Sequence, residues 1–372
     1  MIIDRYMSVN WIKPVLGSIS IFLVLFLLID FFGLMGQILE HQPGTSVVIS
    51  YLLYRTGYGI FFLTPMALLI GGFWTTFGLR KNNEWTICQL TGTSSANILR
   101  APITALVILT VLMIIANCLI MPTIAQNVEI LDDYTLKNRS KPTPVFRHIH
   151  TKLPDGRTVK IGRFDPGQAT IRNITVSKKK GTKIVLRWDS PSGIYTPGSG
   201  WTLKNVTVRT IGSSGDVTTS RAREKLIPLA PPEILSVVTK LNSRSNELDP
   251  IQYSFEDLYT SINYNTKRGL NTTEERILLH WKFGFPLTNS VLGLIGLMVG
   301  LRTKLSRAGG VGLCLLLGLG YWIFFSFSVS WGKVTGPLLG SLNIVPVIFV
   351  YGPAIVSLAG AYTVWVSFSE QY

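Results

Sequence analysis

Charged residues are scarce in this chain, and their scarcity excludes an ordinary soluble protein. Asp, Glu, Lys and Arg supply only 15% of the 372 residues, whereas 47% are hydrophobic. The mean hydropathy is +0.35. Soluble globular proteins usually carry about 25% charged residues. The composition therefore indicates a membrane protein.

Cysteine is scarce as well, and familiar catalytic and nucleotide-binding motifs are missing. The three cysteines, Cys88, Cys118 and Cys314, lie outside the long polar segment, so no disulfide framework stabilises that segment. The chain has no Gly-x-x-x-x-Gly-Lys-Ser/Thr loop for nucleotide phosphates and no recognisable Ser-His-Asp, Cys-His or paired-carboxylate motif. We therefore predict no catalytic residues and expect any ATP to bind another chain.

The basic net charge of +15 does not indicate a nucleic-acid-binding protein. Basic residues are spread along the chain without an aromatic-basic recognition motif. His148 and His150 would share one face of a strand, but protein zinc sites need three or four ligands, which favours a simple exposed face. The sequence predicts no metal site and no cofactor in this chain.

Six apolar runs are each long enough to form a transmembrane helix, which takes roughly 20 residues. The runs cover approximately residues 14–35, 56–79, 98–121, 277–301, 309–331 and 344–368. The first run lacks a small-residue cleavage site and is predicted to remain as an anchor. Pro65, with Gly71 and Gly72 after it, predicts a kink or a close helix contact in the second run. The fold class is therefore a membrane α-helical bundle in two halves, residues 1–122 and 277–372.

Residues 123–276 form a polar insert between the two halves. They contain 24 Lys and Arg and 15 Asp and Glu, and no run that could cross a membrane. Short alternating strands separated by turn residues predict an all-β domain of the sandwich or open jelly-roll type. The predicted strands cover residues 146–151, 158–161, 170–176, 184–188 and 201–208. The predicted core positions include Ile161, Ile174, Val185 and Trp201. A Pro-rich linker after residue 228 and a helix over about residues 254–268 lead back to the membrane.

A short polar segment separates the second and third apolar runs. Asn82 or Asn83 is suited to cap a helix with Glu84 in its first turn, where a carboxylate interacts favourably with the helix dipole. Gly92 suits the left-handed position that ends such a helix. The pattern predicts a helix over about residues 83–91 on the membrane surface.

Two interpretations of this helix stay open. It is either an ordinary loop helix or a coupling helix that docks into a partner. Under the second interpretation the partner interface comprises Glu84, Trp85, Ile87, Cys88, Leu90 and Gly92. Thr93 or Ser94 is then suited to cap the third membrane helix.

The distribution of basic residues predicts the orientation in the membrane. Only Arg55 and Lys333 lie in the short loops opposite the amino terminus. The basic residues on the side of the amino terminus are Arg5, Lys13, Arg80, Lys81, Arg100, Arg302, Lys304 and Arg307. Positive charge favours the cytoplasm, so both termini and the Glu84 loop are predicted to be cytoplasmic and residues 123–276 extracytoplasmic.

Several features of the sequence together resemble a known family. They are the opening Met1-Ile-Ile-Asp-Arg-Tyr6, the loop from Glu84 to Gly92, and Arg276 with Pro286 leading the fourth run. With the six-span order and the extracytoplasmic β insert, they are similar to the lipopolysaccharide export permeases LptF and LptG. The resemblance covers nearly the whole chain and implies a jelly-roll-like insert.

The resemblance implies one half of a heterodimer in the bacterial inner membrane, with the insert in the periplasm. A second permease subunit of the same family would complete the pair. A separate ATP-binding cassette dimer would dock at the loop helix, and the β domain would pass lipopolysaccharide to periplasmic jelly-roll bridge proteins. Some family members carry lysines near the end of span one, whereas this chain has Asp30 there and no lysine after Lys13. This departure does not favour phosphate binding by that helix.

The lipid cavity is expected between spans one, two and five. Lipid phosphates would meet Arg55 and Lys333, with Lys137 and Arg139 at the foot of the β domain. The alternative for Arg55 and Lys333 is that they only anchor helix ends. Asp30 either lies at the membrane interface or pairs with one of these cations or a partner's. The predicted substrate path comprises Phe26, Asp30, Arg55, Phe324, Ser328 and Lys333.

A second hypothesis is a membrane-anchored structural or sensory protein of the envelope whose β domain binds a periplasmic partner. Such an anchor needs neither the helix with Glu84 nor phenylalanine-rich walls in its spans. The chain has both features. The phenylalanines are Phe22, Phe26, Phe31, Phe32 and those within 324–327.

Overall fold

The computed structural model describes residues 2–132, 145–180, 183–212, 216–243, 250–302, 306–336 and 344–369. Contacts divide the chain into two compact units. The helical unit comprises residues 1–139, 250–255 and 277–372, and the β unit comprises residues 140–249 and 256–276. This division places the described residues 123–132 in the helical unit, whereas the predicted domains change at residue 123.

Six helices in the described part of the chain are long and apolar enough to cross a membrane, as predicted. They are α1, α2, α4, α8, α9 and α10. The helices are α1 (Ile2–His41), α2 (Thr45–Lys81), α3 (Glu84–Leu90), α4 (Ser95–Leu119), α5 (Met121–Ile130), α6 (Pro232–Ser243), α7 (Phe255–Thr266), α8 (Thr273–Arg302), α9 (Arg307–Thr335) and α10 (Val345–Ser369). The helices α1 and α2 begin well before their predicted apolar runs, because the backbone hydrogen bonds of a helix continue beyond its most apolar stretch.

Glycines allow α2 to pack closely against α1 and α8. A Cβ atom added at Gly71 would lie 2.9 Å from the Cα atom of Val15 in α1. A Cβ atom added at Gly72 would lie 3.0 Å from the carbonyl oxygen of Gly293 in α8. Small residues bring helix backbones together in membranes. The predicted close contact at Gly71 and Gly72 is therefore confirmed.

Aromatic side chains fill the centre of the helical unit. The rings of Trp281 and Phe285 in α8 stack at 4.8 Å between centroids. Phe285 lies 5.1 Å from Phe61 of α2 and 6.2 Å from Phe325 of α9. Each aromatic pair adds about 0.5–1.5 kcal/mol beyond the area that it buries. These contacts fix α2, α8 and α9 as the framework of the unit.

The β unit contains one antiparallel sheet of six strands, so the predicted β insert is confirmed. The strands are β1 (Phe146–Lys152), β2 (Thr158–Asp165), β3 (Thr170–Lys180), β4 (Lys183–Thr196), β5 (Gly200–Ile211) and β6 (Val217–Ile227). Each strand pairs with its neighbour in the sequence, in the order β1-β2-β3-β4-β5-β6. The described sheet is therefore an open meander without the crossovers that define a sandwich or a jelly roll.

The buried face of the sheet contains three of the four predicted core residues. Ile161, Ile174 and Trp201 are buried, and the Trp201 indole donates a hydrogen bond of 2.7 Å to the carbonyl oxygen of Ala230. The prediction for Val185 is wrong, because Val185 is only half-buried and lies outside the core cluster. Successive residues of a strand point to opposite faces, and the neighbouring Leu186 packs against the core instead.

Helices α5 and α6 lie where the sequence predicted no helix. Pro122 and Pro232 suggested chain breaks, but each stands at the start of a helix, where its missing N–H is not needed. Leu235 and Val238 of α6 are buried against the sheet. The helix therefore covers the apolar face of the meander.

Candidate functional site

The loop helix α3 forms close to its predicted bounds, but its start differs from the prediction. Asn83 adopts the left-handed conformation at φ +60°, and its side chain makes no capping hydrogen bond. The prediction of a side-chain cap from Asn82 or Asn83 is therefore wrong. Gly92 takes the expected left-handed conformation at φ +80°. The Ser94 hydroxyl accepts a 3.3 Å hydrogen bond from the Asn97 N–H and caps α4, as predicted.

Glu84 connects α3 to the first membrane helix. Its carboxylate accepts a 2.7 Å hydrogen bond from the Tyr6 hydroxyl of α1. It accepts a second, weaker hydrogen bond of 3.3 Å from the Asn82 side-chain amide. Hydrogen bonds to an ionised carboxylate are stronger than neutral ones. The Glu84 side chain is thus held in a defined position and remains half-buried.

The two sides of α3 have different surroundings. Trp85 and Cys88 pack against the cluster that contains Met7 and is shared by α1, α2, α4 and α8. Ile87 and Leu90 are exposed, at 58% and 82% of their surface. Residues three apart lie on one side of a helix. The described helix α3 therefore offers an apolar ridge of Ile87 and Leu90 outward while its other side is fixed.

Asp30 and Arg55 form a two-point ion pair between α1 and α2. The Arg55 Nε atom donates a 2.9 Å hydrogen bond to Asp30 Oδ2, and Nη2 donates to Oδ1. The Arg55 and Asp30 side chains are only 19% and 14% exposed. The guanidinium also lies over the rings of Phe26 and Tyr58, at 4.9 and 5.1 Å from their centroids. The expected pairing of Asp30 with a cation is confirmed.

A cavity of about 390 Å³ lies between α1, α2 and α9, which are spans one, two and five. The expected position of a cavity between these spans is therefore confirmed. Its wall is almost entirely apolar. It is lined by Pro14, Gly17, Ser18, Ile21, Phe22, Ile70, Trp74, Val311 and Leu315. Asp30 lies eight positions beyond Phe22 along α1, about 12 Å at 1.5 Å per residue.

The α9 members of the predicted path lie elsewhere in the helical unit. Phe324 lines a second cavity, of about 610 Å³, between α8, α9 and α10. The Ser328 hydroxyl donates a 2.7 Å hydrogen bond to the Phe349 carbonyl oxygen of α10. Lys333 is half-buried near the end of α9. The structure thus brings Phe26, Asp30 and Arg55 together, whereas Phe324 lines a different cavity and Ser328 contacts α10.

Three predictions involve basic residues that lie outside the described part of the chain. They are Lys137, Arg139 and Lys304. The His148 side chain also lies outside it. Within the described residues no group of three or more His, Cys, Asp or Glu side chains is placed to hold a metal.

Lys282 is a residue that the sequence analysis did not identify. It lies in α8 and is 0% exposed. Its ammonium donates hydrogen bonds to the carbonyl oxygens of Asn117 at 3.1 Å and Ile251 at 3.3 Å. The Asn117 amide donates back to the Lys282 carbonyl oxygen at 2.9 Å. An ionisable residue inside an apolar run is a signal that could have identified it.

Comparison with known proteins gives the family directly. The family described as "Lipopolysaccharide export system permease LptF/LptG" matches residues 5–367. No curated protein sequence matches the chain. Since the family match covers nearly the whole chain, the protein belongs to the lipopolysaccharide export permease family LptF/LptG.

Proposed function

We propose that this chain is one permease subunit of an ABC-type complex that extracts lipopolysaccharide from the bacterial inner membrane. The complex passes the lipid through the β unit to periplasmic bridge proteins. The family match supports the lipid class. The observation that carries the mechanism is α3, which is fixed on one side by Trp85 and Cys88 and exposes Ile87 and Leu90 on the other.

The exposed side of α3 suits an ATP-binding cassette partner. Ile87 and Leu90 provide apolar contact area, and Glu84 provides a carboxylate for an arginine of the partner. The hydrogen bond from Tyr6 to Glu84 joins α3 to α1. Since α1 also lines the cavity through Phe22, a displacement of α3 by the partner is transmitted to the cavity wall. ATP binds and is hydrolysed on the partner, not on this chain.

The cavity between α1, α2 and α9 accepts acyl chains. Each buried methylene contributes about 0.8 kcal/mol, but the bilayer offers the same contribution. Apolar contact alone therefore cannot extract the lipid. A conformational change driven by ATP hydrolysis on the partner has to supply the free energy of extraction. The Asp30 carboxylate neutralises Arg55 in the resting state and releases it to a lipid phosphate, so Asp30 gates the site.

A second permease subunit packs against α1. Only 6% of the most apolar stretch of α1 is buried within the described residues. Large apolar side chains are exposed along it at Ile21, Leu25, Leu28 and Phe32. The excess of basic residues on the side of the amino terminus supports cytoplasmic termini, with the β unit in the periplasm.

The test is Glu84→Gln, which keeps the side-chain shape and removes the charge. Loss of a charged hydrogen bond at an interface costs roughly 1–3 kcal/mol, so the affinity for the ATP-binding partner should fall about tenfold. Co-purification in mild detergent and lipid-stimulated ATP hydrolysis measure the effect. Tyr6→Phe removes only the hydrogen bond between α1 and Glu84. This variant should bind the ATP-binding partner normally but weaken the coupling of ATP hydrolysis to the lipid.

The matched control is Glu40→Gln, which changes an exposed glutamate at the other end of α1. It should leave partner binding and ATP hydrolysis unchanged. If Glu84→Gln also leaves both unchanged, α3 is not a coupling helix. The envelope-anchor hypothesis would then account for the chain better.

A further inference from the structure

The solvent face of the sheet carries basic residues in one row across neighbouring strands. Arg147 of β1 is directly opposite Arg163 of β2, and Arg163 is directly opposite Arg172 of β3. The row continues through Ser192 of β4 to Lys204 of β5. Neighbouring strands are about 4.8 Å apart, so the three arginines span about 10 Å.

The three arginines point away from the apolar core. Each of them is exposed. The next pair in the register, Phe164 and Ile171, is fully buried in the core. Adjacent positions of a strand face opposite sides of the sheet. The register therefore places all three guanidinium groups on the solvent side as one surface, called here the arginine row (Arg147, Arg163 and Arg172).

This arrangement is unfavourable without a ligand. Directly opposite side chains have Cβ atoms about 4.5–5.5 Å apart, and like charges at this distance destabilise a sheet. With the residues that the structure describes, the three side chains form no hydrogen bond or ion pair. This repulsion occurs at both pairs of the arginine row, Arg147 with Arg163 and Arg163 with Arg172.

Other arginines of the same unit have carboxylate partners. Arg187 and Arg209 both contact Asp189, at 2.9 and 3.2 Å. Arg157 donates a 2.6 Å hydrogen bond to Asp155 and holds the pKa of that carboxyl below its usual value. The arginine row differs from these pairs, because its charges lie beside one another and, within the described residues, none of them forms an ion pair with the nearby Asp165.

Polar groups surround a shallow depression beside Arg163 and Arg172, on the β3 side of the row. Arg163 and Arg172 line it together with Asp165, Gln168 and Thr170. The Asp165 carboxylate accepts a 3.1 Å hydrogen bond from the Gln168 backbone N–H. Amide, hydroxyl and carboxylate groups are suited to sugar hydroxyls, and arginine is suited to phosphate because it binds two oxygens at once.

We propose that the arginine row binds phosphoryl groups of a phosphorylated saccharide. The choice of a lipid-linked saccharide as the source rests on the proposed function, whereas phosphate binding itself does not. The polar surroundings favour a saccharide over a bilayer surface. Three arginines within about 10 Å bind two neighbouring phosphoryl groups and remove the repulsion along the row.

The test uses the full chain in phosphatidylcholine nanodiscs and titrates inorganic pyrophosphate by calorimetry. Arg147→Gln, Arg163→Gln and Arg172→Gln combined should weaken pyrophosphate binding at least tenfold. The control combines Lys178→Gln, Lys179→Gln and Arg223→Gln, which remove the same charge from exposed positions outside the row. The control should change the affinity less than twofold. Equal losses in both variants, or no binding by the parent chain, would overturn the proposal.

A second arm identifies the source of the phosphoryl groups. Added lipopolysaccharide should displace pyrophosphate from the parent chain in phosphatidylcholine nanodiscs. If phosphatidylglycerol nanodiscs abolish pyrophosphate binding and lipopolysaccharide does not compete, the row binds the bilayer and the saccharide proposal is wrong. Circular dichroism of both triple variants confirms that the sheet is intact.

The two proposals fail separately. Glu84→Gln should leave pyrophosphate binding unchanged, because α3 and the arginine row belong to different units. If the chain binds pyrophosphate but binding of the ATP-binding partner does not depend on Glu84, the arginine-row proposal is supported and the coupling-helix proposal is contradicted. If partner binding depends on Glu84 but the chain does not bind pyrophosphate, the proposed transport function is supported and the arginine-row proposal is contradicted.

Discussion

At the scale of single residues, the ion pair between Asp30 and Arg55 is the most informative contact. The ion pair is bidentate and mostly buried, and the Arg55 guanidinium also lies over the rings of Phe26 and Tyr58. Removing one member of a buried pair leaves an uncompensated charge, which costs more than removing both. The pair therefore stabilises the contact of α1 with α2 as long as both charges are present.

We expect Arg55→Gln to lower the free energy of unfolding by about 2 kcal/mol, between the values for exposed and fully buried pairs. Asp30→Asn should have a similar effect. The double variant should lose clearly less than the sum, because neither charge is left alone. Thermal unfolding in detergent measures all three. Additive losses would show that the two side chains do not interact.

The pairing of Asp30 could be predicted because an ionisable residue in a membrane span needs a partner. The same rule applies to Lys282, which lies within the fourth apolar run. Its acceptors are the carbonyl oxygens of Asn117 and Ile251, which come from distant parts of the chain. No local pattern places these atoms together.

At the scale of elements, long periodic or apolar segments could be predicted and short polar ones could not. All six spans were found because each must match the bilayer thickness. Strand β6 was missed because most of its residues are exposed and polar, so it has little apolar alternation. Helices α5 and α6 could not be predicted, because a proline is compatible both with a chain break and with the first turn of a helix.

We expect the β insert to fold independently of the membrane helices. The fragment 123–268 should fold alone and unfold cooperatively in urea, since the sheet and α6 share one core. Trp201→Ala should cost about 3–5 kcal/mol, because it empties a fully buried site. Val185→Ala, at a half-buried position outside that core, should cost less than about 1 kcal/mol.

Circular dichroism of the fragment and its two variants measures these values. Equal losses for Trp201→Ala and Val185→Ala would contradict the core assignment. A disordered spectrum of the parent fragment would show that the sheet needs the membrane helices or a partner strand.

At the scale of the whole molecule, the proposed function combines the lipid class of the family with a cavity in the helical unit. The cavity between α1, α2 and α9 is apolar, and α1 joins it to the loop helix through the hydrogen bond from Tyr6 to Glu84. The second cavity, beside Phe324, lies between different helices. The central claim is that lipopolysaccharide enters the first cavity and leaves it when the partner hydrolyses ATP.

Photocrosslinking in living cells tests this claim most directly. Crosslinking residues at Ser18 and Phe22, on the cavity wall, should capture lipopolysaccharide, and capture should change when ATP hydrolysis by the partner is blocked. Ile108 and Leu119 of α4 are exposed positions away from the cavity and serve as controls. The account predicts adducts at Ser18 and Phe22 but not at the controls. Adducts at Ile108 and Leu119 alone would contradict it, and so would an amount of captured lipopolysaccharide that does not change when ATP hydrolysis is blocked.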